Sequence, residues 1–131
     1  MNNLSNSLVR TNIESSSKLF NELIKTPLII NDLATIDNAV ESFTKIDYIA
    51  AVRIVNNSNI AISHIHDENP MYKDILDKNI TNIEINEEIF QLKSFSIDIN
   101  KKIIANVQIL YELSDIYKVI KDNRNRTFFL M

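Results

Sequence analysis

His64, His66, Asp67 and Glu68 form the one cluster in this sequence whose side chains could ligate a metal. Alternate residues of a strand share a face, so the two imidazoles could meet one ion with a carboxylate beside them. The same residues close a strand and enter a polar stretch, where histidines are ordinarily solvated, and the expectation is no metal and no cofactor. Arg53 lies in the middle of the apolar run Ile49 to Val55. Its guanidinium could hold an anion such as a carboxylate by a two-pronged hydrogen bond. The competing reading is an arginine lying along the sheet surface and paired with an acidic neighbour. Lys93 alternates with apolar residues on a later segment and either joins Arg53 or faces water. Tyr48 and Tyr111 are expected to complete a core, since a tyrosine ring can be buried once its hydroxyl has one partner. Glu87 and Glu88, like Asp67 and Glu68, are adjacent in sequence, point to opposite faces within a strand and read as solvated charge.

No serine, histidine and aspartate arrangement resembles a catalytic triad, and two histidines lying together leave little choice of general base. Catalysis is not expected. The chain has no glycine at all, which excludes the common phosphate loops, because these need a backbone without side chains against the phosphate. It also has no cysteine, which removes disulfides, thiolate metal sites and cysteine nucleophiles together. With 14 basic and 17 acidic side chains and a net charge of -3, it lacks the basic footprint that nucleic acid requires.

At 131 residues with 45% hydrophobic content, the chain matches the size and core of one domain, residues 1–131. Its elements follow from periodicity. Val9, Ile13, Phe20, Leu23 and Ile24 make an apolar stripe at helical spacing, predicting a long helix over about 4–26 that Pro27 closes. Asn31 or Asp32 caps a second helix burying Leu33, Ile36, Val40 and Phe43. The period then changes to alternation, and Ile49 to Val55 and Ile60 to Ile65 flank an asparagine-rich turn, predicting a β-hairpin. Pro70 breaks the chain before a short helix carrying Met71, Ile75 and Leu76. Alternation returns from Ile89 to Ile99 and from Ile103 to Tyr111, two segments expected to pair antiparallel. Ser114 and Asp115 cap a last helix over about 114–131.

No stretch approaches the roughly 20 apolar residues that span a bilayer. The end of the chain, Thr127 to Met131, is apolar directly after Lys121, Arg124 and Arg126. It reads either as the edge of a membrane helix or as a helix end tucked into the core.

The chain resembles a single Cache domain, the extracytoplasmic PAS-like sensor of bacterial membrane receptors. The resemblance spans essentially the whole chain. It rests on the long first helix, the capped second helix, the hairpin Ile49-Ala50-Ala51-Val52-Arg53-Ile54-Val55 with Ile60-Ala61-Ile62-Ser63, and the run from Ile103 through Tyr111 and Ser114 to Ile116. Where the family usually places glycine, in the hairpin turn and early in the final strand, asparagines and Ala105 stand instead; asparagine tolerates left-handed backbone angles.

The resemblance implies an α+β fold: an antiparallel sheet with a long N-terminal helix, a second helix and an exit helix around a sensor core of about residues 31–111. It further implies a ligand-sensing input domain of a histidine kinase, chemoreceptor or cyclic-di-GMP enzyme, on the periplasmic side of the inner membrane, tethered by flanking spans and paired as a homodimer through the first helix. The pocket of such domains lies between the sheet and the segment joining its halves, here about residues 63–83. Arg53, His64, His66, Tyr72 and Lys93 are then the expected ligand-binding residues, with a small organic anion as the expected ligand. The rival is a cytosolic PAS-like interaction or dimerisation domain whose interior holds no ligand.

Overall fold

The structure, a computed structural model, describes residues 3–46 and 48–118. Its first element, α1 (Asn3–Ile29), is longer than its apolar stripe predicts, because Pro27 lies inside the helix rather than ending it. Proline lacks the N–H that would bond one turn back. Here its buried ring sits in the last turn, and its own carbonyl accepts from the Asp32 N–H at 2.8 Å. The turn closes at Asn31 with φ 59°. Asp32 then caps α2 (Leu33–Thr44), accepting from the Thr35 N–H, which satisfies one of the free amides of the first turn.

Five strands follow: β1 (Ile49–Asn56), β2 (Ala61–Ile65), β3 (Asn82–Ile85), β4 (Glu88–Ile99) and β5 (Lys102–Glu112), with α3 (Pro70–Lys78) between β2 and β3. They form one sheet in the order β2-β1-β5-β4-β3, and every neighbouring pair is antiparallel. The strand β3 is the one element that periodicity does not reveal. The α+β architecture is otherwise as expected. Residues 114–118 are helical; the remainder of the expected exit helix and the apolar run at Thr127 to Met131 lie outside the described residues. Among the described residues, no helix is long and apolar enough to cross a membrane.

The left-handed turns are made without glycine. Among the described residues eight have positive φ, including Asn31, Asn59, Asn79, Asn86 and Asn100. Asparagine is tolerated there because its short polar side chain can bond locally. Both central residues of the β3–β4 turn, Asn86 and Glu87, and of the β4–β5 turn, Asn100 and Lys101, have positive φ, the backbone pattern that suits the strand twist of two-residue hairpins.

The two faces of the sheet are covered unequally. On one face α1 and α2 lay Val9, Ile13, Phe20, Ile24, Ile36, Val40 and Phe43 against Val52, Ile54, Ile97, Val107, Ile109 and Tyr111. Phe20 and Phe43 stack at 4.4 Å between ring centroids, and the Tyr111 hydroxyl lies 2.8 Å from Ser16 Oγ, fastening α1 to β5. Burial of this kind contributes about 1.5–3 kcal/mol per large apolar side chain. Two expected members stay outside: Leu23 is 53% and Leu33 48% exposed, since each lies at the margin of its helix's apolar arc. On the opposite face, α3 covers only one end, where Ile75 and Leu76 meet Ala51, Phe90, Leu92 and Leu110.

Candidate functional site

The other end of that second face is an open hollow of about 780 Å³, into which Arg53 and His64 project from β1 and β2. The register explains why these two meet. Arg53 pairs with His64 on one side and with Gln108 on the other, and Gln108 pairs with Ser94, so all four belong to one row across the sheet. α3 ends above this row at Asn79, whose left-handed cap (φ 51°) stops the helix before it covers the hollow. Asn79 Oδ1 accepts from Ser94 Oγ at 3.0 Å and from Gln108 Nε2 at 3.3 Å. Gln108 Nε2 also donates to the Leu76 carbonyl at 2.9 Å. Those bonds tie the end of α3 to the middle of β4 and β5.

Arg53 is already engaged. Its Nη1 donates to Asp77 Oδ1 at 2.7 Å, and its Nε lies 3.5 Å from Asp67 Oδ2. Asp67 Oδ1 is 2.7 Å from His64 Nδ1, and Asp77 Oδ2 accepts from Lys73 Nζ at 2.7 Å. The hydrogen bonds from Lys73 and then Arg53 hold the Asp77 carboxyl below the usual range, so it is ionised at neutral pH and compensates the guanidinium. Of the two readings of Arg53, the arginine paired with acidic neighbours is the one observed, and the unpaired cation that motivated an anionic ligand is absent. Asp67 is likewise not a solvated charge: its side chain is only 16% exposed.

His66 and Tyr72 are parted from this group. His66 has φ 63°, so the chain turns left-handed just after β2 and breaks the alternation that would have placed His66 beside His64. It lines a second hollow of about 660 Å³ with Tyr72, Glu88, Glu112 and Asp115. Burial, then the nearby Glu88 and Glu112, push the Tyr72 hydroxyl up. Among the described residues no three metal-ligating side chains gather. Lys93 pairs with Ile109 and is adjacent to Ser94 in β4, which puts it on the face opposite Arg53. The expectation that Lys93 joins Arg53 is therefore corrected by the strand phase.

Residues that sequence reasoning passed over complete the hollow: Asp77, Asn79, Ser94, Ser96, Asn106 and Gln108. A signal for four of them was present. Ser94 and Ser96 alternate with Phe95 and Ile97, and Asn106 and Gln108 with Val107 and Ile109, which marks one polar face on two strands.

The second hollow adjoins the exit from the sheet. The Ser114 hydroxyl accepts from the Ile89 N–H at 3.1 Å and donates to the Glu112 carboxylate. Ser114 thus binds the start of the last helix back to β4, where a helix-capping bond was expected.

A histidine kinase sensor domain from Clostridium perfringens matches this architecture with a TM-score of 0.53 at 11% identity, over 81% of this chain and 95% of that one. The two chains share one fold, an antiparallel sheet packed against a long N-terminal helix. No family model matches the sequence, and no curated protein does. The likeness is thus carried by the arrangement of elements.

Proposed function

We propose that this chain is the ligand-sensing input domain of a bacterial signal-transduction receptor, placed on the extracytoplasmic side of the membrane, and that it has no catalytic role. The observation that carries this reading is the polar hollow beside Arg53. It lies on the sheet face away from the long helix, within a fold shared with a histidine kinase sensor domain. The ligand would rest on β1, β4 and β5 beneath the end of α3, touching Arg53 and His64, with His66 and Tyr72 acting from the second hollow. Binding that favours one placement of α3 over another shifts the population of sheet geometries and so the start of the exit helix at Ser114. Such a shift needs differential affinity for the two states.

We further propose that two copies pair through α1. Of the stripe expected on the first helix, Val9, Ile13, Phe20 and Ile24 are consumed by the core and only Leu23 stays outside. With it, Leu8 and Leu19 are also exposed, at 46% and 56% against 53% for Leu23. Successive angles of about 100° per residue put these three on one flank of the helix. Sedimentation of the purified protein should show a dimer that Leu19→Asn weakens; a monomer at every concentration would rule the pairing out for the untethered chain.

Thermal-shift screening tests the sensing role. A ligand at a hundred times its Kd stabilises by about 2.7 kcal/mol, which a melting curve resolves easily. A compound that raises Tm in the wild type but not in Arg53→Ala supports the reading. The complete gene is expected to encode hydrophobic spans around this domain; a gene encoding none would favour a cytosolic dimerisation module.

A further inference from the structure

Resting on the reading of the hollow as a ligand site, we infer that its ligand is an uncharged, hydroxyl-rich small molecule of the sugar or polyol class and not an organic acid. The charges at the hollow cancel. Arg53 and Lys73 face Asp67 and Asp77 in a chain of contacts of 2.7 to 3.5 Å, and His64 is bonded to Asp67. An acid entering the hollow would bring a third negative charge beside two carboxylates, or would have to strip Arg53 from Asp77. Neither cost falls on a neutral ligand.

What remains open is uncharged hydrogen-bonding capacity. Ser94 and Ser96 on β4 face Gln108 and Asn106 on β5, since those pairs are in register, and Asn59 and Asn79 border the same hollow. Hydroxyl and amide groups each offer both donors and acceptors, which is what a hydroxyl, itself both, requires. Ser96 Oγ donates to Asn106 Oδ1 at 3.1 Å. That bond occupies the Asn106 oxygen and leaves its amide nitrogen as a donor, and the Gln108 amide is spent on Leu76 and Asn79, leaving Gln108 Oε1 as an acceptor. Among the described residues neither of these two atoms has another partner. The floor thus presents an amide donor and an amide acceptor side by side on one strand, two residues and about 7 Å apart, a spacing that separate hydroxyls of one sugar or polyol can bridge.

Matched pairs of compounds test this: glucose against gluconate, and ribitol and other linear polyols against the corresponding sugar acids. Each is titrated into the whole chain and followed by amide chemical shifts of Ser94, Ser96, Asn106 and Gln108. We expect at least one neutral member to perturb these resonances and its acid partner to bind about tenfold more weakly or worse. Asn106→Ala should weaken the neutral ligand by about tenfold, the worth of one hydrogen bond, with Tm unchanged in its absence. Asp77→Asn should free Arg53 and admit the acids that the wild type rejects. Acids that bind the wild-type hollow as well as their neutral partners would overturn the inference while leaving the site standing. Silence at the hollow from neutral, acidic and amine compounds alike would overturn both the inference and the ligand reading beneath it.

Discussion

The two faces of the sheet are built from the same strands by alternation, yet one is sealed and the other is half bare. On the α1 and α2 side, Phe20, Ile36, Ile54 and Val107 are fully buried, and the polar atoms present are tied off, as Tyr111 is to Ser16. On the α3 side, the nine-residue helix stops at Asn79, and beyond it the strands carry serine, asparagine and glutamine instead of isoleucine. The lesson is that alternation divides the labour residue by residue. Beyond the end of α3 each strand gives every second side chain to the core and leaves the others on the open face, so the open face can be altered without touching the core behind it.

Substitutions can break or sharpen that contrast. Phe20→Ala should have the largest effect, destabilising by about 3–5 kcal/mol in urea or thermal unfolding, because it empties a stacked position against Phe43. A loss below about 1 kcal/mol would show that the α1 face is loosely packed and the contrast false. The next effect is read with pH. Burial pushes the Tyr111 hydroxyl up from 10.0 to about 12, so the folded state keeps a proton that the unfolded state releases. Its contribution is complete below pH 10 and is lost as pH rises toward 12. Melting temperature should therefore fall across that window, and Tyr111→Phe should flatten the fall while costing about 1 kcal/mol near neutrality through the lost hydrogen bond.

On the open face the effects shrink. Arg53→Ala should cost about 1 kcal/mol, chiefly because Asp67, largely enclosed, loses a partner. A cost as large as that of Phe20→Ala would make the charge network part of the core. Lys101→Gly belongs to neither face and calibrates both: it relieves a positive φ of 68° and should stabilise by about 0.5–1 kcal/mol. Ser96→Ala should change stability by less than about 0.5 kcal/mol, although it removes a bond to Asn106 at the hollow.

Most of this architecture is legible in the sequence wherever one periodicity persists for two turns or more. The helices α1 and α2, the first hairpin, α3 and the β4–β5 pair all carry such runs. The strand β3 does not, because Asn82–Ile85 offers only two apolar residues, too few for alternation to stand out. Pro27 misleads for a different reason: proline ends a helix only where the lost bond cannot be accommodated, and the close packing of its ring is invisible in one dimension. The candidate site was legible in part. Arg53 stands out within its strand, but its partners Asp67 and Asp77 lie 14 and 24 positions further on and are brought to it by the β2 turn and α3. Lys93 shows the limit, since one residue of strand phase decides which face it occupies, and alternating apolar neighbours allow either.

The order β2-β1-β5-β4-β3 places the last strand in the middle of the sheet, hydrogen-bonded along both sides. A strand paired on both edges cannot slide without breaking both ladders, so it tilts only together with its neighbours. The same strand carries Gln108 under the hollow and ends at Glu112, two residues before Ser114. Gln108 beneath the hollow and Ser114 at the exit are thus joined by one strand held from two sides, with no loop between them to absorb a tilt.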